Sequence, residues 1–173
     1  MIDGEATRSR RHHILTLLVG VVAALRAGLM GPMWTDNAFV AFSYSDRIAR
    51  AGSVVLAGQS APHEAFSNPL WVGVFALLGH FNVSEVQLQA PIGVLLYAVL
   101  ATMLYRALCV RFGLSVALSV VVLIGLAPLA VAARDGSDAM LLAVLSLAAT
   151  LRVADHQRSR EPMTILLLCL LVF

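Results

Sequence analysis

The 173-residue sequence contains no lysine and little charge of either sign. Asp, Glu, Arg and Lys together make up 13% of the residues, whereas 60% are hydrophobic. A water-soluble domain is about a quarter charged and about half apolar. The composition therefore excludes a domain that buries a single core in water, and it indicates a membrane protein whose solvent is lipid.

The low net charge and the small number of cysteines exclude other classes of protein. The net charge is only +2 and the basic residues are scattered along the chain, which excludes the basic surface of a nucleic-acid-binding protein. The two cysteines, Cys109 and Cys169, form no CxxC motif and have no histidine nearby in the sequence. We therefore predict that they are packing residues and not metal ligands.

Long apolar runs dominate what is present. A helix that crosses a bilayer needs about 20 mostly apolar residues. Runs of roughly this kind lie at 14–33, 86–105, 114–133 and 139–154. A further run, 162–173, is expected to begin another crossing that the chain does not complete, whereas 69–80 is short for a crossing. The sequence thus predicts an all-α, polytopic transmembrane helical bundle.

The arginine distribution predicts the orientation of this bundle. Most arginines lie in or beside cytoplasmic loops only if 69–80 stays on the outer face. Residues 1–13 are then a cytoplasmic N-terminus, followed by an uncleaved signal anchor because 14–33 lacks a small-x-small cleavage site. Residues 34–85 form an outer loop with interfacial or re-entrant helices, and 86–161 form three transmembrane helices with short loops. The protein is therefore expected to be a multi-pass protein of the cell membrane.

Acidic residues concentrate on the predicted outer face. Asp36 directly precedes a predicted helix of about 38–51 that ends at Gly52. Two interpretations of Asp36 stay open, an N-cap for this helix and a catalytic carboxylate. Glu64 lies between two prolines in an irregular stretch, and Asp138 lies in the short loop 134–138, which faces the same side as the outer loop.

The outer acids belong to a longer pattern. Its first part contains Asp36, Ala38, Phe39, Phe42 and Tyr44, and its second part contains Glu64, Asn68, Leu70 and Trp71. This pattern resembles the first outer loop of GT-C-type glycosyltransferases, in particular terminal arabinofuranosyltransferases of actinobacterial cell-wall assembly. Gly136, Ser137 and Asp138 occupy the place of a Gly-Leu-Glu-like element of that family. The sequence departs from the family at Asn37, Ser43 and Ala65, and Asn37 replaces the second aspartate of a pair.

The resemblance implies a membrane glycosyltransferase. Such an enzyme moves a sugar, here arabinofuranose by analogy, from a polyprenyl-phosphate donor in the lipid to a glycan of the cell envelope. Asp36 would be the catalytic base, while Glu64 and Asp138 would orient the sugar or bind a divalent metal cation. Arg134 would stabilise the departing phosphate. Members of the family carry many further spans and a soluble C-terminal domain, so we expect the 173-residue chain alone to be inactive.

Two alternatives compete with this interpretation. The first is a non-catalytic membrane protein, a degenerate remnant or an assembly partner of that family, which Asn37 and the end of the chain at Phe173 favour. The second is a small transporter. Transporters place polar groups in broken helices at the middle of the membrane, whereas the acids of this chain cluster in the predicted outer loops, which disfavours transport.

Overall fold

The computed structural model describes residues 2–31, 33, 35–53, 69–81, 85–126 and 129–155. Every regular element within these ranges is an α-helix. The helices in chain order are α1 (Ile2–Gly28), α2 (Asp36–Ala51), α3 (Pro69–Gly79), α4 (Glu85–Phe112), α5 (Leu114–Leu126), α6 (Leu129–Ala132) and α7 (Ala139–Asp155). The predicted site residue Glu64, the predicted crossing at 162–173 and Cys169 lie outside the described residues.

Helix α4 is the centre of the bundle and packs against α1, α5 and α7. The face of α1 that meets it carries Val19, Ala23 and Ala27, which recur every four residues and are buried. Small residues allow the backbones of neighbouring helices to approach closely. A close contact of α4 with the segment 133–138 occurs at Gly93, where an added Cβ atom would overlap the carbonyl oxygen of Ala133.

One residue connects α4 to α5. Gly113 has a φ of 86°, its N–H donates to the carbonyl oxygen of Cys109 at 3.2 Å, and its carbonyl oxygen accepts from the N–H of Ala117 at 3.2 Å. The two helices therefore form a tight antiparallel hairpin. At the same end of the bundle, the Sγ atom of Cys109 lies 3.8 Å from Nδ1 of His12, a neighbour that the spacing along the chain did not predict.

The other end of the bundle is covered by α2 and α3. These helices pack on each other through an aromatic cluster, with ring centroids 5.3 Å apart for Phe42 and Phe75 and 4.7 Å apart for Trp71 and Phe75. The cluster also contacts Leu88 of α4 and Leu141 of α7. We call the region formed by α2, α3, the start of α4 and the segment 133–138 the α2/α3 end.

The helices predicted at about 38–51 and at 69–80 are present. Helix α2 ends at Gly52, whose φ of 61° is the left-handed conformation expected of a C-terminal glycine. The N-cap of α2 is Thr35 and Asp36 is the first helical residue, so the interpretation of Asp36 as the N-cap is wrong by one position. Helix α3 spans 11 residues, as the short apolar run at 69–80 indicated.

The predicted spans differ most from the structure at α1 and α4. Helix α4 continues to Phe112, seven residues beyond the predicted end of the run 86–105, because helical hydrogen bonding does not stop where the apolar run stops. Helix α1 ends at Gly28, five residues before the predicted end of the run 14–33. Its apolar part from Ile14 onward is about 22 Å long at 1.5 Å per residue. The run 114–133 contains α5 (Leu114–Leu126) and α6 (Leu129–Ala132), and residues 127–128 lie outside the described residues.

Apolar surface faces outward along the bundle. The segment Val86–Phe112 of α4 is long and apolar enough to cross a membrane, and it is the one described helix that is. Pro69–Gly79, Leu114–Leu123 and Ala139–Ala154 are shorter apolar helices. Large exposed apolar side chains follow α1 and α5, including Leu17, which is 70% exposed, and Leu123, which is 65% exposed.

Candidate functional site

The segment 133–138 is hydrogen-bonded to Thr35, the N-cap residue of α2. The backbone N–H of Thr35 donates to the carbonyl oxygen of Asp135 at 3.2 Å, and the hydroxyl of Thr35 donates to the same oxygen at 3.3 Å. Thr35 and Asp135 are 100 positions apart in the sequence. These bonds fix Asp36, the next residue of α2, beside the connection between α6 and α7.

Gly136 fixes the other side of this connection. Its φ is 78°, and a Cβ atom added to it would lie 2.6 Å from the Cβ atom of Ala38. Its carbonyl oxygen accepts a hydrogen bond of 3.1 Å from Nε1 of Trp71. Glycine is required here both by the left-handed backbone and by the close contact with α2. The connection is thus held against α2 and α3 together.

The three acidic residues of this region have different surroundings. Asp36 is exposed and lies in the first turn of α2, where the helix dipole stabilises a negative charge. Oδ1 of Asp135 accepts a hydrogen bond of 2.7 Å from the N–H of Ser137, so this carboxylate shapes the loop. Asp138 is partly buried and directly precedes α7. Asp36 and Asp138 are therefore the two carboxylates of this group best placed for chemistry.

Two buried polar atoms at the same end have no hydrogen-bond partner among the described residues. They are Nε of Arg134 and Oε1 of Gln89. Gln89 is only 1% exposed, and its Cγ atom lies 3.5 Å from the Cβ position that Gly136 lacks. A buried polar atom without a partner costs about 1–3 kcal/mol, so each is a candidate contact for a bound polar ligand.

The sequence patterns predicted Asp36, Arg134 and Asp138 as site residues but did not indicate Gln89. Asp36, Arg134 and Asp138 lie together at the α2/α3 end, while Glu64 lies outside the described residues. Gln89 was overlooked because it stands in the first turns of an apolar helix. A polar side chain in such a run is itself a signal, since an amide in an apolar setting needs a hydrogen-bond partner.

The α2/α3 end carries a carboxylate, a guanidinium and an amide, whose chemical properties suit a polar substrate. A carboxylate such as that of Asp36 can accept a proton from a hydroxyl group. The guanidinium of Arg134 can stabilise an anion such as a phosphate, and the amide oxygen of Gln89 can accept a hydrogen bond from a hydroxyl group. Within the described ranges, no group of three or more His, Cys, Asp or Glu side chains is arranged to hold a metal ion.

The polar groups come from α2, α4 and the segment 133–138, and helix packing brings them together from distant parts of the chain. In comparisons with known proteins, no protein family, no curated protein and no solved structure matches this chain.

Proposed function

We propose that this chain belongs to a membrane glycosyltransferase that moves a sugar, such as arabinofuranose, from a polyprenyl-phosphate donor to a glycan of the cell envelope. The observation that supports this most is the hydrogen bonding of Thr35 to Asp135. The two parts of the sequence that resemble GT-C enzymes, around 34–72 and 134–142, are distant in the chain. Their contact at one end of the bundle is what a shared site requires.

The proposal includes a multi-pass orientation with the N-terminus in the cytoplasm. The outward apolar side chains of α1 and α5 suit contact with lipid tails. Arg11, Arg106, Arg111 and Arg152 lie toward the end of the bundle opposite α2 and α3, and arginine-rich loops favour the cytoplasmic side. The α2/α3 end then faces outward, where a glycan acceptor of the envelope is accessible.

The proposed reaction is a displacement at the anomeric carbon of the donor sugar. The carboxylate of Asp36 takes the proton of an acceptor hydroxyl while its oxygen forms a bond to the anomeric carbon. The bond between that carbon and the phosphate oxygen breaks, and its electron pair leaves with the polyprenyl phosphate. Arg134 stabilises the negative charge of the leaving group. Asp138, Gln89 and Glu64 bind the sugar hydroxyl groups.

A non-catalytic role in membrane assembly is the second candidate. It is favoured by the position of Asp36 in the first turn of α2, where an acidic residue stabilises the helix without any reaction. Asp135 already uses its carboxylate within the loop. In this role the α2/α3 end would be a structural cap on the bundle, and its acids would be replaceable by residues that suit helix starts.

Deletion of the gene for the complete transferase of which this chain would be a part, in the source organism, tests the transferase proposal. The envelope glycans of the deletion strain and of the parent are hydrolysed, and the sugars at their chain ends are identified by linkage analysis. We expect the deletion strain to lose one type of terminal sugar and a plasmid copy of the gene to restore it. Identical glycan ends in both strains would contradict the proposal.

A further inference from the structure

A cavity of about 360 Å³ lies between α1, α4 and α5. Its wall is apolar, with Leu18 and Val22 from α1, Ala101 from α4 and Val121 from α5. The lining holds one charged residue, Arg26, and one phenol, that of Tyr97. The cavity shares no residue with the group formed by Asp36, Gln89, Arg134 and Asp138.

The cation and the apolar wall are separated along the helix axis. Arg26 lies two residues before the end of α1, toward the α2/α3 end, while Leu18 lies eight residues earlier. Eight helical residues correspond to about 12 Å. Side chains on the rim are open to the surroundings, since Leu18 is 55% exposed and Val22 is 56% exposed. The cavity thus opens sideways, with the arginine near one end.

We propose that this cavity binds one anionic membrane phospholipid, with an acyl chain against the apolar wall and the phosphate at Arg26. The inference rests on the membrane embedding proposed above and not on the transfer reaction. An arginine near the end of a membrane helix extends to headgroup depth, where its positive charge is within reach of a lipid phosphate. A guanidinium also binds phosphate with paired N–H groups. An acyl chain fills a space that would otherwise leave its apolar lining without contacts.

A membrane phospholipid suits the position better than the sugar donor does. The phosphate of a donor must reach Arg134 and Asp36, which belong to the segment 133–138 and to α2. Arg26 belongs to α1, on the part of the bundle formed with α5. A lipid held there fills the space between α1 and α5 and leaves the proposed reaction site accessible.

Native mass spectrometry of the full chain in detergent micelles tests this assignment. The protein is titrated with phosphatidylglycerol or with phosphatidylcholine of identical acyl chains. We expect one phosphatidylglycerol molecule to bind with preference over phosphatidylcholine. Arg26→Gln should lower that preference about fivefold, as the loss of about 1 kcal/mol for one interfacial arginine predicts. Val22→Trp, at the exposed rim, should reduce the binding of both lipids by filling the cavity.

Arg106→Gln is the matched control. Arg106 lines a different cavity, between α1 and α4, of about 370 Å³, and its substitution removes the same charge without touching the first cavity. Equal binding of the two lipids by the unmodified chain would overturn the proposal, as would an unchanged preference in Arg26→Gln. Displacement of phosphatidylglycerol by an equimolar polyprenyl phosphate would assign the cavity to the donor lipid and would also overturn it. These readouts measure no transfer, so their failure is distinguishable from failure of the transferase proposal.

Discussion

The indole Nε1 of Trp71 donates a hydrogen bond of 3.1 Å to the carbonyl oxygen of Gly136, across 65 positions of the chain. The ring of Trp71 also meets Phe75 edge to face. One side chain therefore joins α3 to the connection between α6 and α7. The position of the proposed site relative to the bundle depends on this contact, because the same connection is bonded to Thr35.

Gly136→Ala should destabilise the fold by about 2–4 kcal/mol. The substitution places a Cβ atom 2.6 Å from that of Ala38 and imposes a positive φ on a residue with a side chain. Thermal unfolding in detergent, followed by circular dichroism, measures the change. Gly73→Ala in α3 is the control, because no atom lies within 4 Å of its added Cβ. Equal unfolding temperatures for the two variants would show that the connection is not held tightly against α2.

In the complete enzyme, Asp36→Asn should abolish transfer while leaving the amount of protein in the membrane nearly unchanged. The lost charge at the first turn of α2 costs about 0.3–1 kcal/mol, whereas asparagine cannot act as a general base. Complementation of the deletion strain followed by glycan analysis gives the result. Asp46→Asn is the control, since Asp46 pairs with Arg50 on the exposed surface of the same helix. Full restoration of the glycan by Asp36→Asn would remove Asp36 from the mechanism and favour the assembly role.

Gln89→Met should leave the unfolding temperature unchanged or raise it, and should lower transfer about tenfold. Methionine fills a similar volume and removes a buried acceptor that has no partner among the described residues. The loss of transfer follows from the loss of one hydrogen bond to the sugar. Gln87→Met, at an exposed position of the same helix, should change neither property. A Gln89→Met variant that complements fully would show that the amide does not contact the substrate.

Reporter fusions test the orientation of the bundle. A reporter that is active only outside the cytoplasm should give signal when it is fused after Gly58 or Asp138. It should give none after Gly113 or Gln157, because the hairpin between α4 and α5 turns at the end opposite α2 and α3. Signal after Gly113 would mean that α3 crosses the membrane and that the proposed orientation is wrong.

Sequence patterns predicted the helices of this chain better than their ends. Gly52 predicted the end of α2 correctly. A glycine that adopts the left-handed conformation just after a helix is a signal that can be recognised in the local sequence. The end of α1 at Gly28 was missed because hydropathy continues to 33 and does not register where the backbone leaves the helix. The N-cap was placed one residue late, since Thr35 and Asp36 both suit helix starts.

The grouping of the site residues was predictable only in part. Asp36 and Asp138 could be placed on one face from the distribution of arginines, which is a global property of the chain. The place of Gln89 in the site could not be predicted from the sequence, because its burial depends on how α4 packs against Gly136. The contact between His12 and Cys109 was missed for the same reason, since it depends on the antiparallel packing of α1 and α4 and not on any local motif.

The single-residue connection at Gly113 bears on how the chain is made. In the multi-pass orientation proposed above, α4 and α5 are expected to enter the lipid as one hairpin, because the single residue between them leaves no slack. Lengthening this connection would separate the two insertion events, and α5 would then have to partition into lipid by its own hydrophobicity.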